Sequence, residues 1–382
     1  MDKDVDPLGE EPAQPVRNGT TAPAAESVVF IMDGANGPSA ELVSELKSAR
    51  EIVADRSLPL EERLEAYEDM MDSEVGDTNM TRARNIEREV GLRQLYLKFE
   101  GSNPSGTQKD RIAFAQAMDA LRRGFEAVTL ATCGNYGVAI AMAAALAGLR
   151  CLIYIPGSYH TRRVQEMMDL GAEIIRVPGD YESAVSASSQ RAIAEEIYDA
   201  NPGGANLAIQ LKAYGEIAYE IYDELRDAPA IVAVPVSNGT TLAGIYRGFL
   251  SLHRRGKTSR IPRMVGGSSF RKNPIVRAFQ TNALHCGNLE PEKIHETAVN
   301  EPLINWHSID GDHALDAIRK TGGWADDTSD KTMLNFAKMI REREGLSVLP
   351  ASTAGFIALL SAHQKQPFPP DRYVVVLTGR KA

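Results

Sequence analysis

From about residue 94 onward the chain repeats one local pattern, and that pattern sets the fold class. Short apolar runs ("LYLKF", "AVTLAT", "RCLIYIP", "EIIRVP", "NLAI", "AIVAVPV", "RMVGG" and "YVVVLTG") alternate with helical stretches at 110–123, 137–148, 161–170, 182–200, 212–226 and 241–254. Buried strands separated by helices require open α/β sheets, not a helical bundle or an all-β sandwich. In such sheets ligands bind beyond the carboxyl ends of strands, where helices begin. The polar, glycine-rich segments at those junctions are therefore where function is sought. No internal repeat is present.

Upstream, residues 1–27 are rich in Pro, Ala, Glu and Gly and read as a disordered acidic tail. "VVFIMDG" has the pattern of a short strand, and residues 39–72 that of helices, with "LPLEERLEAYEDMM" amphipathic after its proline. The 382 residues suffice for two domains with a large core. Net charge argues against nucleic acid as a partner: it is −9 overall, with residues 1–80 holding 19 acidic and 6 basic side chains. The remainder is mildly basic, which suits small anions. Three scattered cysteines, Cys133, Cys151 and Cys286, form no CxxC motif and point to a reducing cytoplasm. The Ala-rich "GVAIAMAAALAGL" is too short to span a bilayer and reads as a buried helix, so no membrane partner is expected.

Four junctions stand out. In "NPSGTQKD", Lys109 opens a helix, where the field of the backbone amides disfavours an ammonium and lowers its pKa. The segment is not a phosphate-binding GxxxxGK[ST] loop, because Gln108 precedes the lysine and Asp110 follows it. A reactive amine and a solvated surface lysine both remain open. In "ATCGNYG", a strand ends at Thr132, Cys133, Gly134, Asn135 and Tyr136, and free amides at the next helix start can hold a carboxylate or phosphate. In "VPVSNGTT", Ser237, Asn238, Gly239, Thr240 and Thr241 form a second cradle of amides and hydroxyls without a cation. The last strand closes on Thr378. A tight strand-to-helix turn explains any one of these alone. His307 and His313 flank "SIDGD"; a place near the pocket is open to them, but a surface or core role is favoured, and no metal ligand set is expected.

Taken in order, the four junctions resemble those of the fold-type II pyridoxal-phosphate enzymes, and most closely the threonine synthase branch. The family's NPTGSFKDR-like motif, SSGNT loop, glycine-rich phosphate loop and closing Ser or Thr are matched by Asn103 to Arg111, Thr132 to Tyr136, Ser237 to Thr241, and Thr378. The resemblance spans residues 76–382. It implies two open twisted sheets flanked by helices, with pyridoxal 5'-phosphate in the cleft between two domains. The larger domain comprises 28–102 and 218–382, and the smaller one, 103–217, carries the Schiff-base lysine. It further implies that Lys109 bonds the cofactor and removes the substrate's α-proton, and that Asn135 bonds the ring oxygen. Residues 237–241 would hold the phosphate and Thr378 would face the ring nitrogen. A hydroxyl at that nitrogen suits elimination and replacement more than transamination. Thr132, Cys133, Gly134 and Tyr136 would receive the amino-acid substrate. A homodimer is the family's usual assembly.

The implied reaction is loss of phosphate from O-phosphohomoserine or a related substrate, followed by addition at Cβ. The alternative is β-replacement or β-elimination on a serine- or O-phosphoserine-type substrate, as in cysteine and cysteate synthases or dehydratases. A non-catalytic binding protein is disfavoured by the retained Lys109. Departures fall mainly on the substrate side, where Gln108 stands where Phe is usual, Tyr136 replaces a threonine and Cys133 a serine; in the phosphate loop Thr240 stands where a glycine is common. This pattern predicts a shifted substrate.

Overall fold

The computed structural model describes residues 48–132, 134–157 and 163–381. The expected tail, the "VVFIMDG" strand and Cys133 lie outside these. Among the described residues ten strands form two sheets. The larger sheet contains β1 (Met80–Arg82), β2 (Leu95–Phe99), β7 (Ile231–Pro235), β8 (Arg263–Ser269), β9 (Trp324–Thr328) and β10 (Tyr373–Leu377), in the order β1-β2-β10-β7-β8-β9. The smaller contains β3 (Ala127–Ala131), β4 (Arg150–Pro156), β5 (Glu173–Val177) and β6 (Tyr198–Asp199), in the order β5-β4-β3-β6. Every pairing is parallel except β1 with β2. The fully buried "YVVVL" of β10 sits centrally, Val375 pairing with Leu97 on one side and Ala233 on the other.

The helices are α1 (Leu60–Glu74), α2 (Arg84–Val90), α3 (Lys109–Arg122), α4 (Asn135–Leu146), α5 (Arg163–Asp169) and α6 (Tyr181–Ala194). They continue as α7 (Leu207–Leu225), α8 (Thr240–Arg254), α9 (Pro274–Gln280), α10 (Gly311–Lys320), α11 (Asp330–Glu344) and α12 (Ala354–Lys365). Helix α4 is the Ala-rich stretch. Its small residues let it bury nearly all round, and the Tyr67 hydroxyl donates to the Ala143 carbonyl at 3.3 Å. No helix among the described residues is long and apolar enough to cross a membrane.

Three local expectations are revised. "NLAI" is not a strand: Leu207 starts α7, whose buried Leu211, Tyr214, Ile217, Ala218 and Ile221 recur at helical spacing. The helix expected over 182–200 stops at Ala194, and β6 takes its last residues. Strands β1 and β9 escape the apolar pattern because both lie at sheet edges, where "WADDT" carries two carboxylates. Helix α7 also runs continuously across the expected domain junction at 217/218.

Behind the start of α3 lies a buried charge network. Arg111 Nε and Nη2 donate to Glu100 at 2.6 and 2.9 Å, and Nη1 and Nη2 donate to Glu220 on α7 at 2.6 and 2.9 Å. Lys98 Nζ reaches the same Glu220 at 2.5 Å and also donates to the Thr78 carbonyl. Burial pushes the Glu220 carboxyl up, but Arg111 and Lys98 outweigh it and hold the group at about 2. The network ties β2, α3, α7 and the segment before β1 into one unit.

Candidate active site

The carboxyl ends of β2, β3, β7 and β10 converge on one cavity of about 590 Å³ between the two sheets. Its lining includes Lys109, Thr132, Gly134, Asn135, Tyr136, every residue from Ser237 to Thr241, and Thr378. The structure thus brings together all the described residues singled out from sequence. Gln108 lines it as well.

The lysine turn is fixed by the last strand. Gln108 N donates to the Thr378 carbonyl at 3.0 Å, and Arg380 N donates to the Gly106 carbonyl at 2.9 Å. Asp110 folds back to accept the Ser105 amide at 2.9 Å, so that α3 begins at Lys109. Burial pushes that carboxyl up to about 7, the Ser105 bonds opposing. Lys109 Nζ makes no hydrogen bond among the described residues and sits 5.5 Å from the centre of the Tyr136 ring. Its pKa is lowered to about 8, chiefly by burial, against the opposing charges of Asp310 and Glu301. The direction matches the sequence reading; burial, more than the helix terminus, is the cause.

The second turn begins α4. Gly134 precedes it without a side-chain cap; the Gly137 amide donates to the Gly134 carbonyl at 2.9 Å, and among the described residues the Asn135 and Tyr136 amides are left for a ligand. The Asn135 side chain makes no hydrogen bond among the described residues. Tyr136 is different: its hydroxyl donates to the Ala200 carbonyl at 2.7 Å and accepts from Gln116, itself bonded to Gln210. Only its ring faces the cavity, so Tyr136 has no hydroxyl left for a ligand.

The third turn begins α8, again without a side-chain cap. Gly239 sits at φ +96°, and a Cβ there would stand 2.7 Å from the Ala314 Cβ and 3.1 Å from the Asp310 carbonyl, so only glycine closes the loop. The loop is braced from behind. Asn273 Nδ2 and Ser308 Oγ donate to the Ser237 carbonyl at 3.0 and 3.2 Å, and Asn305 Nδ2 donates to Asn238 Oδ1 at 2.7 Å. The Thr240 hydroxyl donates to Asp310 at 2.5 Å, which leaves its backbone amide for a ligand in place of the hydroxyl expected. At the fourth junction Thr378 Oγ1 lies 3.1 Å from Ser352 Oγ.

Sequence reading missed the outer wall. The stretch from Ile294 to Ile309 supplies Glu301, Trp306 and His307 to the cavity. His307 is bonded through Nδ1 to Asn288 at 2.7 Å and belongs to the cavity mouth. Burial pushes the carboxyls of Glu301 and Asp310 up, with Lys109 opposing in both. Nothing local in the sequence marks Glu301; it is brought to the cavity by a long connection between α9 and α10.

A family model for pyridoxal-phosphate-dependent enzymes matches residues 71–379. Threonine synthase of Methanocaldococcus jannaschii is 31% identical over 305 residues, 79% of this chain and 74% of that protein. Threonine synthase of Methanosarcina acetivorans is 29% identical over the same shares. Among solved structures, maize serine racemase superposes with a TM-score of 0.68 over 84% of this chain and 94% of that one, at 18% identity, a likeness of fold.

The residues present fit the cofactor these enzymes use. The uncapped start of α8 behind a turn that only glycine can form makes an anion cradle of backbone amides. An amine and an asparagine amide that make no hydrogen bond among the described residues open onto the same cavity. By sequence, fold and this donor set, the chain belongs to the family of pyridoxal-phosphate-dependent enzymes and is threonine synthase-like.

Proposed function

We propose that the protein is a pyridoxal-phosphate-dependent lyase that eliminates a leaving group from an amino acid's side chain and adds a nucleophile at Cβ. The observation that carries this reading is Lys109: one amine with a lowered pKa, without a hydrogen bond among the described residues, in the same cavity as two uncapped helix starts. Lys109 would hold the cofactor covalently, Ser237 to Thr241 would hold its phosphate, Asn135 its ring oxygen, and Thr378 would serve its ring nitrogen. When bound, the cofactor supplies an electron-withdrawing ring that acidifies the amino acid's α-carbon. The amides at the start of α4, with Thr132 and Gly134, take the substrate's α-carboxylate. Lys109 would be the base for the α-proton, and its pKa, lowered to about 8, gives it a far larger neutral fraction near physiological pH than an ordinary lysine has.

Two substrate classes follow. Sequence likeness to threonine synthases supports a phosphorylated homoserine. The departures at Gln108, Cys133 and Tyr136 support the alternative, β-replacement or β-elimination on a serine- or O-phosphoserine-type substrate. Product analysis after incubating the holoenzyme with O-phosphohomoserine, homoserine, O-phosphoserine and serine separates them. Threonine from the first compound at ordinary rates supports the first class; keto acid or replacement products from O-phosphoserine or serine support the second. No product from any would contradict the lyase reading. We also infer a cytoplasmic homodimer with domains divided near 103 and 217, α7 being shared between them; the free Cys151 and Cys286 support the compartment.

The lysine's pKa gives a pH prediction. Only the neutral amine attacks the cofactor's aldehyde, so the rate of cofactor uptake should rise with pH through a midpoint near 8. Stopped-flow absorbance of cofactor-free protein tests this, and a midpoint near the ordinary lysine value of 10.5 would contradict it.

A further inference from the structure

We propose that Ser352 fixes the direction of the Thr378 hydroxyl, so that Thr378 donates its hydrogen to the cofactor's ring nitrogen and keeps that nitrogen an unprotonated pyridine. This rests on the reading of the cavity as the cofactor site, with Thr378 serving the ring nitrogen. Ser352 is fully buried in the short turn Pro350–Thr353 that precedes α12. Thr378 lines the cavity and Ser352 does not. Ser352 therefore acts on a bound molecule through Thr378, as a positioning residue.

A hydroxyl carries one hydrogen, so the direction of the Ser352–Thr378 contact decides what Thr378 has left to offer. The two oxygens are 3.1 Å apart, and the Thr378 hydroxyl has no other partner among the described residues. If Thr378 donated to Ser352, its oxygen would present only lone pairs to the cavity and would suit a protonated ring nitrogen. If Ser352 donates to Thr378, the Thr378 hydrogen is released for the lone pair of an unprotonated one. The surroundings of Ser352 select the second arrangement. Its Oγ already accepts the Gly379 amide at 3.1 Å. The other acceptor within reach of its hydrogen among the described residues is the Gly379 carbonyl, 3.4 Å away and long for an O–H···O bond. That carbonyl is also taken by the Leu349 amide at 3.0 Å. The Ser352 hydrogen therefore goes to Thr378. An unprotonated ring nitrogen withdraws electrons from the α-carbon less strongly than a protonated one. One buried hydroxyl behind the cavity wall thus biases the site toward elimination and replacement and against transamination.

The test loads the protein with pyridoxal 5'-phosphate carrying nitrogen-15 in its ring and reads the protonation of that nitrogen from its NMR shift as pH is varied. In the wild type the nitrogen is expected in the pyridine range near neutral pH. Ser352→Ala removes the hydrogen bond that holds Thr378 as a donor. The protonation midpoint should then rise by about one unit, equivalent to about tenfold more protonated cofactor at a given pH above both midpoints. Ser352→Cys keeps a weak donor and should fall between the two. A pyridinium nitrogen in the wild type near neutral pH would overturn the proposal. So would Ser352→Ala with the wild-type midpoint, because a role confined to bracing the Gly379 turn lowers the thermal midpoint without moving the nitrogen. If Ser352→Ala folds poorly, the wild type and Ser352→Cys carry the test. Absence of any visible band with added cofactor would overturn the cofactor reading itself, a result distinct from a present band whose nitrogen does not respond to Ser352.

Discussion

Lys109→Ala should abolish the visible absorbance of the holoenzyme and lower turnover by at least about 10³-fold, with the fold intact. Both losses follow from one side chain because the same amine is assigned to hold the cofactor and to move the α-proton. Stability should survive, for a reason visible in the structure. Lys109 Nζ has no hydrogen-bond partner among the described residues, and burial already disfavours its charged form. Removing it breaks no bond and relieves a desolvation cost, so the thermal midpoint of the cofactor-free variant should match or exceed that of the wild type. The paired measurement is absorbance and turnover on one hand and a thermal melt on the other. A variant that keeps the visible band would contradict the assignment; one that loses the band only because it unfolds would contradict the stability argument.

Arg111→Ala should behave in the opposite way, destabilising the protein by about 3–5 kcal/mol. Arg111 is bonded to both Glu100 and Glu220, and its loss leaves two buried carboxylates with fewer partners. Lys98 retains Glu220, but no other cation pairs with Glu100 among the described residues. The same network gives an acid signature. Glu220 in the fold titrates at about 2, below the ordinary glutamate value of 4.5. Its contribution is therefore fully present above 4.5 and is lost as pH falls toward 2. Urea unfolding of the wild type should show a stability loss in that window, and Arg111→Ala should show a smaller one. Equal acid sensitivity in the two proteins would contradict this account.

The two variants show how unevenly the site could be read from sequence. The strand-to-helix junctions were legible because each carries its chemistry within a few consecutive residues: a lysine behind a glycine turn, Ser237 to Thr241 behind an apolar strand. Such segments keep their meaning whatever the rest of the chain does. Arg111 was legible as part of a motif, but its partners were not, since Glu220 reaches it from α7. Tyr136 lines the cavity, yet its hydroxyl is committed to Gln116 and Ala200, a choice made by core packing that no local pattern records. Thr240 likewise gives its hydroxyl to Asp310. Glu301 was invisible because a long connection between α9 and α10 brings it over Gly134. For the fold the misses have a similar cause: β9 is an edge strand with two aspartates, and Leu207 joins a helix because its burial follows the spacing of α7.

The most direct test of the central claim is to trap the cofactor on the protein. Borohydride reduction of the holoenzyme, followed by proteolysis and mass spectrometry, should place the reduced pyridoxyl group on Lys109 alone. Labelling at Lys98, Lys212 or another lysine, or no labelling of a protein that has been shown to be folded and supplied with cofactor, would contradict it.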